Sequence, residues 1–184
     1  MTNVEFVRHT IESAPEAARD HLEAQTAKFG FLASPLATMA ESPALLEGAL
    51  TLFSLFEKTS LDGAAREVVA MTLAHDWACG YCMAMHSRIV SNIPALAPEL
   101  ERLRAGLLPA EPKLAAVASF VRAVVARRGA VEPSAWTAFL EAGYTKRQGL
   151  EIVLGIAAYT LSVTANHMTK VDVDPPFEAF RWTP

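Results

Sequence analysis

Between Arg66 and His86 the sequence gathers its only two cysteines, Cys79 and Cys82, two of its five histidines, His75 and His86, and the carboxyl group of Glu67, all inside an otherwise apolar stretch. On a helix that begins near Cys79, positions 79, 82 and 86 are separated by steps of three and four, so both sulfurs and the imidazole fall on one stripe. A thiol becomes a strong nucleophile only as its thiolate. A Cys-x-x-Cys pair at a helix N-terminus lowers the energy of that anion through the free N–H groups and the helix dipole. His86, one turn beyond Cys82, is suited to accept or relay the proton, because imidazole titrates near neutrality. Glu67, on the preceding helix, is placed to orient His86 or to pass a proton through water. Once one thiol has been oxidised, its neighbour can attack it and close a disulfide, which prevents over-oxidation. These residues describe a two-electron redox site.

Other chemistries compete for the same residues. Zinc accepts ligands of the types offered by Cys79, Cys82, His86 and either Glu67 or His75, although one glutamate in a sulfur site is unusual for it. Covalent haem attachment is excluded, because Met83 stands where Cys-x-x-Cys-His requires histidine. A thioredoxin-like site is disfavoured, since no strand precedes the pair. In the plainest reading both cysteines are small buried hydrophobes and His86 is a core histidine. A redox switch without turnover, built into a helical oligomer, is a further reading. His75 lies eight residues after Glu67 on the same helical face and is expected to back or line the pocket, with Trp77 and Tyr81 as its wall or as core. His167 is read as a capping or interfacial residue, and His9 and His21 carry no signal.

The whole chain sets limits on this chemistry. Its 184 residues, 52% of them hydrophobic and 20% charged, suffice for one domain with a sizeable core and exclude disorder. A net charge of -4 without a basic run speaks against nucleic acid. Two cysteines cannot form a stapling framework, and the N-terminal residues do not read as a secretory signal. The expected compartment is a reducing cytoplasm, where the pair would rest as thiols. Ile152 to Ala165 carries no charge, but fourteen residues make only ~21 Å of helix against ~30 Å of hydrocarbon, so it is expected to be a buried core helix, not a membrane span.

The punctuation predicts helices throughout. Ser13 with Glu16 reads as a capping box opening a helix that runs to Gly30. The stretch from Ser34-Pro35 to Ser42-Pro43 breaks the pattern, and Ser42 and Pro43 open the next helix, with Leu45, Leu46, Ala49, Leu50, Phe53 and Phe56 on its buried face. Helices follow over Asp62–Trp77, from Cys79 to before Pro94, and over Glu99–Arg104. Beyond Pro109 and Pro112, Leu114 to Val125 forms a stripe that ends at Arg127, Arg128 and Gly129. Pro133–Gly143 is a shorter helix, and a capping box of Thr145 and Gln148 opens the helix from Lys146 to about Met168. No segment alternates with period two, so the fold class is all-α. A motif-bearing core at about 43–92, a second helical half at about 112–170 and a tail at 171–184 make up a single domain. A weak echo of Glu67-Val68-Val69 in Glu151-Ile152-Val153 raises the option of two similar half-units. The tail holds Phe177, Phe180 and Trp182 behind Asp174-Pro175-Pro176, cannot continue the helix, and is expected to dock on its own domain or on a neighbouring subunit.

Glu67, eleven residues, Cys79-Gly80-Tyr81-Cys82, three residues and His86 resembles the Glu-x11-Cys-x-x-Cys-x3-His signature of AhpD-like alkylhydroperoxidases, within the carboxymuconolactone decarboxylase superfamily. The resemblance is clearest from about Leu45 to Val90. It implies a thiol peroxidase in which Cys82 attacks the hydroperoxide, Cys79 resolves the sulfenic acid as a disulfide, and Glu67 and His86 relay protons. It further implies no organic cofactor or metal, recycling by an external dithiol or lipoyl-type reductant, and assembly into a homo-oligomer such as a trimer or hexamer. Peroxidase members carry a histidine before the second cysteine, and Tyr81 occupies that position here. The decarboxylase branch lacks the cysteine pair, which counts against decarboxylase or isomerase-like chemistry.

Overall fold

The computed structural model describes residues 5–184 and contains nine α-helices and two 3-10 turns among them, with no strand. The helices are α1 (Glu16–Phe29), α2 (Ser34–Met39), α3 (Pro43–Glu57), α4 (Gly63–Asp76), α5 (Gly80–Val90), α6 (Leu100–Arg104), α7 (Pro112–Ala126), α8 (Pro133–Glu141) and α9 (Lys146–Thr169). One 3-10 turn, Ala97–Glu99, leads into α6, and the other, Pro175–Phe180, lies in the tail.

Most boundaries follow the local chemistry of capping. Ser42 accepts the Leu45 N–H at 3.4 Å with Pro43 in the first turn of α3, and Asp62 accepts the Ala65 N–H at 2.7 Å. Thr145 and Gln148 form the reciprocal capping box of α9. Gly30 closes α1 with φ 80°, a left-handed conformation that costs glycine little.

Three expectations change. Ser13 does not cap α1: it exchanges hydrogen bonds with Thr10 in a turn before Pro15, and α1 starts without a side-chain cap. The proline-rich stretch after Ala33 is not a break but the short helix α2, buried along its whole length, because Pro35 sits in the first turn, where no N–H is missed. The apolar run of α9 is buried on one face only. Ile152, Gly155, Ala158 and Asn166 face inward, whereas Leu150, Val153, Ala157, Thr164 and Met168 are exposed. The physical reason is position. α9 lies along one side of the bundle against α2, α3, α4 and α7, so only one stripe can be covered by the chain itself. By length and composition α9 could cross a membrane. Its inner face is shaped for helices instead: a Cβ at Gly155 would stand 2.6 Å from the Phe56 ring.

Helix α4 runs through the larger core, packed against α5, α6, α7 and α9. A smaller cluster from α1, α2 and α3, including Leu22, Leu36, Met39 and Leu46, meets α9 at Ala165. The tail docks on its own domain: Phe177 is buried on α5, and the Trp182 indole N–H donates to the Arg104 carbonyl at 3.0 Å.

Candidate functional site

Helix α4 ends in a tight reversal that places the cysteines. Ala78 takes φ 55°, unusual for a residue with a Cβ, and the Cys79 N–H reaches back to the Ala74 carbonyl at 2.8 Å in a Schellman-type closure. Cys79 is at once the N-cap of α5, its sulfur accepting the Cys82 N–H at 3.3 Å as a serine oxygen would. The pair is joined as a disulfide, with Cα atoms 5.3 Å apart, and both residues are buried.

Two cavities meet at this bond. The larger, about 410 Å³, lies between the α1–α3 cluster and the main core, and reaches Cys82, Glu67 and His86 among aromatic walls that include Phe53, Phe56 and Tyr159. In it the His86 Nδ1 and a Glu67 carboxylate oxygen are 2.7 Å apart, and the Tyr159 ring stands edge-on to the imidazole with centroids 5.1 Å apart. Burial, and then the Glu67 charge, push the Tyr159 hydroxyl far above its ordinary range, so it stays protonated. The smaller cavity, about 340 Å³, reaches Cys79 from the opposite side, and its walls are polar: Lys170, Asp172, Arg181, His167 and the edge of Trp182.

The structure thus brings together Cys79, Cys82, His86 and Glu67. Tyr81 joins them as a wall of both cavities, its hydroxyl donating at 2.8 Å to the buried carboxylate of Asp174. Burial, and then that carboxylate, raise the Tyr81 hydroxyl well above the usual range and keep it a donor. His75 and Trp77 stand elsewhere. The His75 ring packs against Gly106 at the end of α6 and bonds to Asp76 at 3.1 Å, and Trp77, the C-cap of α4, offers its carbonyl to His167 at 2.9 Å. Neither lines either of these two cavities, because the last turn of α4 carries both residues past the site toward the α6 and tail surface. His75 cannot then complete a metal set with the sulfurs, and among the described residues no group of three or more His, Cys, Asp or Glu is arranged to hold a metal ion.

Two participants escaped the sequence reading. Asn166, on the inner face of α9, points its amide N–H at Cys82 Sγ, 3.3 Å away, and lies 3.9 Å from Cys79 Sγ. Its signal was the polar series Tyr159, Ser162, Asn166 at steps of three and four within the apolar run, all three lining the larger cavity. Asp174 is 2% exposed, and it accepts from the Ser34 N–H at 2.9 Å, the Ser34 hydroxyl, the Tyr81 hydroxyl and Arg8 at 3.1 Å. It therefore ties the tail to α2, α5 and the N-terminal segment.

No family model matches the sequence, and no curated protein is similar to it. Solved structures are. An uncharacterized peroxidase-related protein from Ralstonia eutropha JMP134, described as an alkylhydroperoxidase AhpD core, superposes with a TM-score of 0.84 at 19% identity, covering 94% of this chain and 93% of its own. The chain has the AhpD-like fold. An uncharacterized peroxidase-related protein from Silicibacter sp. TM1040 follows at TM-score 0.79 and 14% identity, over 98% of this chain and 97% of that one. A cysteine-to-alanine variant of the debrominase Bmp8, in complex with 2,3,4-tribromopyrrole, gives TM-score 0.75 and 15% identity over 98% and 96%. In this AhpD-like fold the cysteine pair occupies the α4–α5 reversal, where one cavity reaches Cys82 and the other Cys79.

Proposed function

We propose that the protein is a thiol peroxidase that reduces organic hydroperoxides through Cys82. The observation that carries this reading is the opening of Cys82 into the same cavity as the bonded Glu67–His86 pair. In the reduced protein the Cys82 thiolate attacks the terminal oxygen of the hydroperoxide, breaking the O–O bond to give the sulfenic acid and, with one proton, the alcohol. His86 supplies that proton and Glu67 holds the imidazole in register. The Cys79 thiol then attacks the sulfenic sulfur, releasing water and closing the disulfide. An external dithiol of lipoyl type returns the two electrons from the Cys79 side, where the polar cavity admits a hydrophilic reductant. The aromatic walls on the Cys82 side favour a bulky apolar hydroperoxide over hydrogen peroxide.

The exposed apolar stripe of α9 supports assembly with further copies of the chain, since a soluble monomer seldom leaves such a face uncovered. The deciding measurement is hydroperoxide consumption with a panel of dithiols, run beside Cys82→Ser. Turnover by the wild type and none by the variant is expected; turnover retained by the variant overturns the assignment. A single stoichiometric oxidation without recycling would make the pair a redox switch.

The aromatic cavity, with the likeness to a debrominase, favours one second reading: reductive dehalogenation of an aromatic halide. There the two thiols deliver two electrons, the carbon–halogen bond is replaced by carbon–hydrogen, and halide, a proton and the disulfide are released. Halide release from a bromopyrrole, with no hydroperoxide consumption, would select it.

A further inference from the structure

The Asn166 amide is 5% exposed and lines both cavities where they meet at the disulfide. Its Nδ2 donates toward Cys82 Sγ at 3.3 Å, yet its Oδ1 has no hydrogen-bond partner. A buried carbonyl oxygen left unpaired is costly, so folding alone does not explain an amide here. Turning the amide over would aim the oxygen at sulfur lone pairs. The orientation observed is the one that presents positive hydrogen to sulfur.

We infer that Asn166 is a catalytic residue of the redox pair: in the reduced protein its N–H donates to the Cys82 sulfur and favours the thiolate over the thiol. A hydrogen bond to an anion is roughly twice as strong as one to a neutral group, so the donor stabilises the thiolate selectively. The Cys82 backbone N–H is directed to Cys79 Sγ, whereas the amide stands nearer to Cys82 Sγ, at 3.3 Å, than to Cys79 Sγ, at 3.9 Å. The inference rests on the reading of Cys82 as a working nucleophile. Other groups also bear on that thiol: Glu67 and Arg66 from α4, His86 and Tyr81 from α5, Tyr159 from α9, and Lys28 and Glu57 at the far end of the cavity, with Asp174 behind Tyr81. The experiment therefore changes only the amide and holds these constant.

In a Cys79→Ser background Cys82 is the only thiol, and its alkylation by iodoacetamide across pH 5 to 11 reports thiolate content without any hydroperoxide. Asn166→Ala and Asn166→Leu are compared with the parent. The Leu variant keeps most of the side-chain volume and removes both polar atoms, so packing and electrostatics separate. Both variants are expected to alkylate about ten-fold more slowly at pH 7 and to converge with the parent above pH 10, with the titration midpoint displaced upward. A Leu variant with the parent profile overturns the inference and leaves Asn166 a packing residue. Because no oxidant is used, a displaced profile combined with an absence of peroxidase turnover in the wild type would retain the role of Asn166 and remove the proposed activity.

Discussion

The two sulfurs of one disulfide face unlike surroundings. On the Cys82 side a larger cavity is walled by aromatic rings, and the Glu67–His86 pair is held out of bulk solvent. On the Cys79 side a smaller cavity is polar, bordered by Lys170, the Arg181–Asp172 pair and the tail. Both cysteines are equally buried, so the difference is not exposure but what each opening admits. An aromatic-walled pocket suits an apolar oxidant, whereas a polar opening suits a hydrophilic reductant. In the proposed reaction, splitting the half-reactions between two faces would let one pair of atoms serve both without the substrates competing for space.

The strongest way to break this comparison is to remove one sulfur at a time. Cys82→Ser should lower hydroperoxide consumption by ~10³-fold or more, because the nucleophile itself is lost. Cys79→Ser should keep one rapid oxidation per chain, seen as a sulfenic acid by dimedone labelling, and lose only recycling. Equal initial oxidation of the two variants would abolish the distinction between the faces. Next in size, Glu67→Gln should cost ~10²-fold in oxidation rate, as expected for the loss of a proton-relay partner, while the rate of disulfide reduction by dithiothreitol stays near the wild-type value. A fall in both rates would show that Glu67 supports the fold of α4 and α5 and not one face.

The sequence exposed these two faces unequally. Helix type and most boundaries were legible, because caps such as Ser42, Asp62 and Thr145 act over three residues. The spacing of Glu67, Cys79, Cys82 and His86 was legible for the same reason: α4, one reversal and α5 are continuous in the chain, so helical period alone brings the residues together. The Cys79 face was not legible. It is built by the end of α9 and by a tail about ninety residues away, and long-range docking leaves no periodic trace. Asp174 looked like part of a Pro-Pro break, although its four bonds define where the tail lies. His75 shows the converse error. Eight residues beyond Glu67 is a turn of about 80° around the helix axis as well as about 12 Å of travel, enough to leave the site.

Because Asp174 anchors that tail, it offers the next prediction. Asp174→Ala leaves the Ser34 and Tyr81 hydroxyls and the Ser34 N–H without their acceptor, all in buried positions, and should destabilise the protein by ~3 kcal/mol in chemical denaturation. Loosening the tail should also speed reduction of the Cys79–Cys82 disulfide by bulky thiols. Tyr81→Phe removes a single bond and should cost ~1 kcal/mol. If the two variants reduce at the same rate as the wild type, the tail does not control access to Cys79.

The smallest effect should come from charge on the polar face. Arg181, and then the Val173 N–H, hold the Asp172 carboxyl below the usual range, so Asp172 stays ionised and neutralises much of the Arg181 charge locally. Lys170, in a left-handed conformation at the end of α9, has no ion-pair partner among the described residues and is the cation left over on this wall. Lys170→Glu should slow reduction by an anionic dithiol such as dihydrolipoate by two- to five-fold at low ionic strength, equivalent to ~0.4–1 kcal/mol, and leave reduction by neutral dithiothreitol unchanged. The difference should fade above ~0.3 M salt, where the screening length falls to about 5–6 Å. The oxidation half-reaction with an uncharged hydroperoxide should not respond at all, because Lys170 lies across the disulfide from that cavity. A matching loss in oxidation would mean that the faces communicate through Asn166, the one side chain that lines both cavities and bonds to sulfur.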